Sequence, residues 1–320
     1  MSDRPMSQRL LDLTRQARGP QALTREGLRR RFGEPNELKI EVGQVWRSNW
    51  GDISLLVLVV ALCEDGVMGA PVTVDPPVED DNCLVLDRGS AVFGVESTLW
   101  VDQLGPLPLR VLERPIDIWS IDIVRWTAAI WKSPDQVPPA GTRRGEGTHS
   151  PLDPAAAFRA DLEDDLVYLR NAPALPIAIS DRPAVPLGRL LGKSLDLASL
   201  VTALGIPQHE VMALLGGKKP LTPAMVGSVA DVTGLSAQKV AEAVLPLPSG
   251  LVAEIDHPRW RSVWKTWADQ SGVDEAAVRI EAGYGAFVMA ARQTGGQAPD
   301  WGARLRHVVE HRVGRADEDS

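Results

Sequence analysis

A chain of 320 residues is long enough to bury two or more separate cores, since domains cluster near roughly 100–150 residues. Its formal net charge of −8 excludes a protein that coats nucleic acid nonspecifically, a mode that needs many Lys and Arg to displace counterions from phosphates; a locally basic, specific reader stays open. The two cysteines, Cys63 and Cys83, lie in apolar runs without the spacing of a disulfide framework or a metal centre, which suits a reducing cytoplasm. The apolar run from Ile53 to Cys63 is too short to span a bilayer and no signal core opens the chain, so a cytoplasmic protein without membrane contact is expected.

In chain order, residues 1–36 form a basic helical arm. Arg4, Arg9, Arg15, Arg18, Arg25, Arg29, Arg30 and Arg31 alternate with Leu10, Leu11, Leu13, Leu23 and Leu28, a pattern that predicts two short amphipathic helices broken at Gly19-Pro20. Thr24 is the N-cap of the second, with Glu26 in its first turn. Over 37–132 the pattern changes to short β-rich runs at Leu38–Trp46, Ile53–Leu62, Val67–Val74, Cys83–Leu86, Thr98–Val101 and Val111–Leu112. Turn signals at Glu64-Asp65-Gly66 and Arg88-Gly89-Ser90 separate them, so a small antiparallel barrel is expected, closed by a helix over Asp122–Trp131.

Residues 133–185 read as a linker, rich in Pro, Gly, Ser and Thr up to Pro151, with one acidic helix over Pro154–Arg170. Asp153 would cap that helix, and Asp161, Glu163, Asp164 and Asp165 give it its charge. Beyond Pro186 the three- and four-residue spacing of Ala, Leu and Val predicts helices only, in a domain over 186–246 and a segment over 247–320 suited to dimerisation. The expected fold class is therefore α+β, a small antiparallel barrel with a helical arm followed by an all-α domain and its helical extension.

The most informative stretch runs from Leu195 to Val244. Leu197, Leu200, Val201 and Leu204 share one face of a first helix. Gly205 supplies a tight turn, Ile206 fills the elbow and Pro207 opens a second helix, where its missing N–H costs nothing. Val211, Leu214 and Leu215 then face inward and leave Gln208, His209, Glu210, Met212 and Ala213 at the outer face. A recognition helix needs that arrangement, because side chains of its leading turn hydrogen-bond base edges in the major groove. Gly216-Gly217 ends the helix, Lys218 and Lys219 stand where phosphates pass, Thr222-Pro223 opens a third helix and Ser236 caps a fourth.

With these landmarks, Leu204-Gly205-Ile206-Pro207, Leu215-Gly216-Gly217-Lys218 and Leu221-Thr222-Pro223, the segment resembles the Xre family of helix-turn-helix proteins, in particular its HigA-like antitoxin branch. The resemblance implies a compact helical domain that binds operator DNA, usually as a homodimer. It places Gln208, His209 and Met212 towards bases and Lys218 and Lys219 on the backbone, with Glu210 counted in the same DNA-binding set. Glu210 stands where the family often carries Ser, Arg or Thr.

The β-rich part offers a second likeness. Gly43, Val45 and Trp46, the strand Leu55 to Val60, and Ala70-Pro71-Val72-Thr73 resemble the PemK/MazF toxins, SH3-like barrels that cut RNA. The likeness implies an arginine before the second strand to stabilise charge on the phosphate, and this chain has Asp52-Ile53-Ser54 there. Only Thr73 matches an active-site position, so the barrel is expected to be non-catalytic and available to a protein partner or effector. Trp46, Trp50, Trp100, Trp119, Trp126 and Trp131 offer either core packing or a stacking surface for nucleic acid.

Two further patterns carry less. His307, Glu310 and His311 match the inverted zinc-protease spacing, but that pattern expects a third protein ligand well downstream and only the acids within Gly314–Ser320 follow, so zinc catalysis is not expected. Trp260, Trp264 and Trp267 fall on one helical stripe and predict burial against a helix or a dimer partner, with helices following at Val273–Glu281 and Ala286–Gln293. The sequence thus points to a DNA-binding regulator with no cofactor, no metal and no catalytic set, acting on duplex DNA as a homodimer. The alternatives are a toxin-like endoribonuclease fused to an antitoxin-like module, and a protein-interaction module of a larger assembly.

Overall fold

The computed structural model describes residues 21–74, 78–147, 154–177, 185–192, 196–291 and 299–318. Among them the chain is α+β, with twelve α-helices and one antiparallel sheet of eight strands. The first predicted helix of the arm and the Asp153 cap lie outside the described residues. No single described helix is long and apolar enough to cross a membrane.

The chain divides into two units, the first reaching to Ala172 and taking in His257–Ser262. Its strands are β1 (Gln44–Trp50), β2 (Ile53–Leu62), β3 (Gly66–Thr73), β4 (Cys83–Leu86), β5 (Ser97–Trp100), β6 (Gly105–Pro108), β7 (Leu112–Ile118) and β8 (Thr142–Arg144). They pair in the order β7-β1-β2-β3-β5-β4-β8, with β6 also on β3. Trp50 stands opposite Ile53, so Gly51 and Asp52 form a two-residue hairpin turn, and Gly51 at φ +52° supplies the left-handed backbone such turns need. Val45, Leu58, Val72, Leu84 and Leu99 line the core face, and Trp119, Ile123, Val124 and Trp126 cover it from the helix α2 (Ile121–Ala129) and the residues just before it.

The sheet is open, which corrects the expectation of a closed barrel. Closure would need β7 to pair with β8. Pro115 in β7 has no N–H to donate, and β8 is three residues long. The free side of β7 is held instead by α1 (Arg25–Phe32): Arg31 donates to the Ile116 carbonyl at 3.0 Å and to Asp117 Oδ1 at 2.6 Å. Thr24 caps α1 as expected, its hydroxyl accepting from the Gly27 N–H.

Other boundaries move for local reasons. The first strand starts at Gln44 rather than Leu38, because Pro35–Glu37 form a 3-10 turn and Gly43 sits at φ +91°. β6 carries two prolines and β8 reads Thr-Arg-Arg, so neither shows an apolar strand pattern; β8 falls where a linker was expected. Helix α3 (Pro154–Arg170) buries Leu162, Leu166 and Leu169. Its Phe158 ring stacks on Trp100 at 5.7 Å, and its Arg159 pairs with Asp80 and Asp102.

The second unit holds Pro173–Asp256 and Val263–Ser320. It opens with α4 (Leu187–Leu191), α5 (Leu197–Leu204), α6 (Gln208–Leu215), α7 (Val226–Thr233) and α8 (Ala237–Ala241). It continues with α9 (Ser249–Asp256), α10 (Arg261–Ser271, from Val263 on), α11 (Glu275–Ala291) and α12 (Trp301–Glu318). The two helices expected at Val273–Glu281 and Ala286–Gln293 are one, α11. Gly283 does not break it, because a side chain there would meet Ile255 and Leu247 at 2.9 Å; the glycine is a point of close packing. Arg279 on α11 is almost fully buried and compensated by Asp256 at 3.0 Å and Glu275 at 2.7 Å. Trp264 and Trp267 are buried, and the Trp264 indole donates to the Ile255 carbonyl at 3.0 Å.

Candidate nucleic-acid interface

Helices α4 to α8 share one apolar core built from Leu187, Leu200, Val211, Leu214, Leu221, Val229 and Val240. Asp196 starts α5, its carboxylate accepting from the Ala198 and Ser199 N–H groups. A hydrogen bond from the Ser199 hydroxyl and those amides hold the Asp196 carboxyl below the usual carboxylate range. Gly205 ends α5 in the left-handed conformation, φ 62° and ψ 22°, with its N–H on the Val201 carbonyl. Ile206 is half-buried, Pro207 takes the cap position, and α6 leaves with the chain direction turned by 108°.

Burial then sorts the side chains of α6. Val211 and Leu214 are buried and anchor it, while Gln208, His209 and Met212 are exposed, Met212 to 53%. Among the described residues neither the Gln208 amide nor the His209 ring has a hydrogen-bond partner, so the leading turn presents free donors and acceptors to solvent. Ala213 is half-buried, closer to the core than the sequence pattern placed it.

Glu210 and Lys219 differ from expectation. They form an ion pair, and the hydrogen bond and charge of Lys219 hold the Glu210 carboxyl below the usual range. Lys219 is therefore engaged with Glu210 within the protein, and Glu210 braces the turn. The physical reason is the path of the chain after α6: the N–H groups of Lys218 and Lys219 both donate to the Ala213 carbonyl, at 2.8 and 3.1 Å, which folds the lysines back over the helix end. Gly217 at φ +70° permits that reversal. Lys218 remains exposed with no ion-pair partner among the described residues. Neither the pairing nor the reversal is visible from residue types alone, since Glu210 and Lys219 are nine apart and joined only by the glycine turn.

Thr222 stands at the cap position of a 3-10 turn, Pro223–Met225, without a side-chain cap bond, and α7 follows it. The Ser236 hydroxyl accepts from the Lys239 N–H, as expected of a cap.

Other candidates resolve differently. Trp46, Trp50, Trp100, Trp119 and Trp126 are buried, which rules out a stacking surface made of them; only Trp131, 63% exposed, faces solvent. The Thr73 hydroxyl accepts from the Trp100 indole at 3.0 Å, a packing role. His307 and His311 sit edge to face on α12 with centroids 4.1 Å apart, and among the described residues no group of three His, Cys, Asp or Glu could hold a metal. Cys63 is exposed, whereas burial pushes the Cys83 thiol well up.

No protein-family model matches the chain, and no curated protein or solved structure matches it.

Proposed function

We propose that the chain is a sequence-specific DNA-binding transcriptional regulator whose helix-turn-helix is α5 and α6. In this reading α6 enters the major groove, Gln208 and His209 hydrogen-bond base edges, Met212 contacts apolar base surface and Lys218 holds a phosphate. Glu210 and Lys219 fix the turn behind the helix. The observation that carries the reading is the outward, unpartnered leading turn of α6 on a helix anchored by Val211 and Leu214. The likeness of this segment to Xre-type readers supports it and favours a cytoplasmic homodimer on paired half-sites about 34 Å apart. The sheet unit is read as a non-catalytic accessory of PemK-like descent, consistent with Thr73 being occupied by Trp100.

A second reading is favoured by the exposed Met212 and by the neutralised Glu210–Lys219 pair, which suit a protein-facing helix better than a strongly cationic one. Fluorescence anisotropy separates the two. A regulator binds a short duplex recovered from its own promoter with affinity that falls steeply as salt rises. Absence of any salt-dependent duplex binding rejects the first reading in favour of the second.

A further inference from the structure

A cavity of about 310 Å³ opens in the first unit beside the edge strand β7. Leu28 and Phe32 of α1, with Leu38 and Pro115, give it apolar walls. Its charged rim is unbalanced. Arg29 is taken by Glu34, and Glu113 is taken by Arg47 and Asn49. Arg25 and Arg114 also line the cavity, and among the described residues neither has a carboxylate partner.

Arg114 is the informative one. It stands directly opposite Arg47 in the β1–β7 ladder, a like-charge pair in which the Glu113 carboxylate is bonded to Arg47 rather than to Arg114. Its Nε is buried and meets no hydrogen-bond acceptor, an arrangement that costs stability in a folded protein. Burial first, and the Arg47 charge second, weaken its hold on its proton, while the Glu113 charge acts in the opposite direction. A guanidinium presents a planar fork that fits a carboxylate or phosphate through two parallel hydrogen bonds.

We propose that this cavity binds a small oxyanion, a carboxylate or a phosphate ester, that carries a compact apolar body. The anionic group pairs with Arg114 and Arg25, and the body rests on Leu28, Phe32 and Leu38. The volume lies at the small end of the range for ligand sites, roughly 300–1,000 Å³, which limits the body to about one ring or a short alkyl chain. The site involves no residue of α6 and stands independently of the DNA reading.

The test is calorimetric titration of the full chain, without DNA, using hydrocinnamate, phenyl phosphate, the neutral hydrocinnamide and inorganic phosphate. Both amphiphilic anions are expected to bind, and the amide and inorganic phosphate to bind at least about tenfold more weakly. Arg114→Gln is expected to weaken anion binding by roughly tenfold or more. Because Arg114 is partly buried, the exposed Arg25→Gln provides a second variant with an unchanged thermal midpoint and a weaker but clear loss. Equal binding of acid and amide overturns the proposal, as does equal binding of phenyl phosphate and inorganic phosphate. Unchanged anion affinity in both variants, or no binding of any probe at about 5 mM, overturns it too.

Discussion

Four buried tryptophans of the sheet unit and the leading turn of α6 treat polar atoms in opposite ways. The indole N–H groups of Trp46, Trp100, Trp119 and Trp126 donate to Gln44, Thr73, Asp117 and the Gln136 carbonyl at 2.8 to 3.2 Å, so each ring is closed to any outside partner. On α6, Gln208 and His209 are solvent-exposed and uncommitted while Val211 and Leu214 below them are buried. Buried polar groups have to be satisfied inside the fold; exposed ones exchange water for a ligand at little cost. Function is therefore to be sought where side chains are held in place by neighbours but not themselves bonded.

Substitutions on the two sides of this contrast should behave differently. The largest expected effect is on the closed side: Trp100→Ala removes a fully buried ring packed on Phe158 and should destabilise the chain by about 3–5 kcal/mol, read from denaturant unfolding. The exposed Trp131→Ala should stay within about 0.5 kcal/mol, and a large loss there would show that Trp131 is covered in solution. Leu214→Ala sits between the two sides. It should cost about 2–5 kcal/mol and abolish duplex binding with it, since the anchor and the reader are one helix.

Gln208→Ala should leave unfolding within about 0.5 kcal/mol and yet reduce discrimination between duplexes by about 1–3 kcal/mol. Lys218→Ala should weaken all duplexes alike and lower the salt dependence by about one counterion; a sequence-dependent loss would reverse the roles of the two residues. The smallest effect concerns pH. The Asp196 carboxyl titrates below its unfolded value, so its cap stabilises α5 fully above the ordinary carboxylate range and is lost as pH falls through the depressed value. Acidification should lower the thermal midpoint of the unaltered chain more than that of Asp196→Ala. Parallel curves would remove the cap from the explanation.

The helices of the second unit were legible because their apolar spacing, caps and glycine stops agree: Asp196, Gly205 and Ser236 each do what their residue types imply. The single helix α11 is not legible in residue types, because Gly283 and Gly285 inside it serve close packing, against Leu247 and Ile255 for the first and Val308 for the second. In the sheet, β2 to β5 announce themselves by β-branched and apolar runs. β6 and β8 join through backbone hydrogen bonds that leave no trace in side-chain pattern. Closure was invisible for a related reason, since it depends on what the edges of β7 and β8 meet. At the candidate site the exposed set of Gln208, His209 and Met212 could be read from helical periodicity. The Glu210–Lys219 pair could not, because it depends on a reversal through Gly217. The Arg114 cavity gave no signal either, as it gathers residues from α1, β7 and His257–Ser262 that are far apart in sequence.

The most direct test of the central claim is selection of bound fragments from a random duplex pool, run in parallel with the unaltered chain and with Gln208→Ala. A shared motif enriched by the unaltered chain, with choice relaxed at one position of each half-site in the variant, is the expected result. No enrichment by the unaltered chain, or an identical motif from both proteins, contradicts the assignment of α6 as the reader.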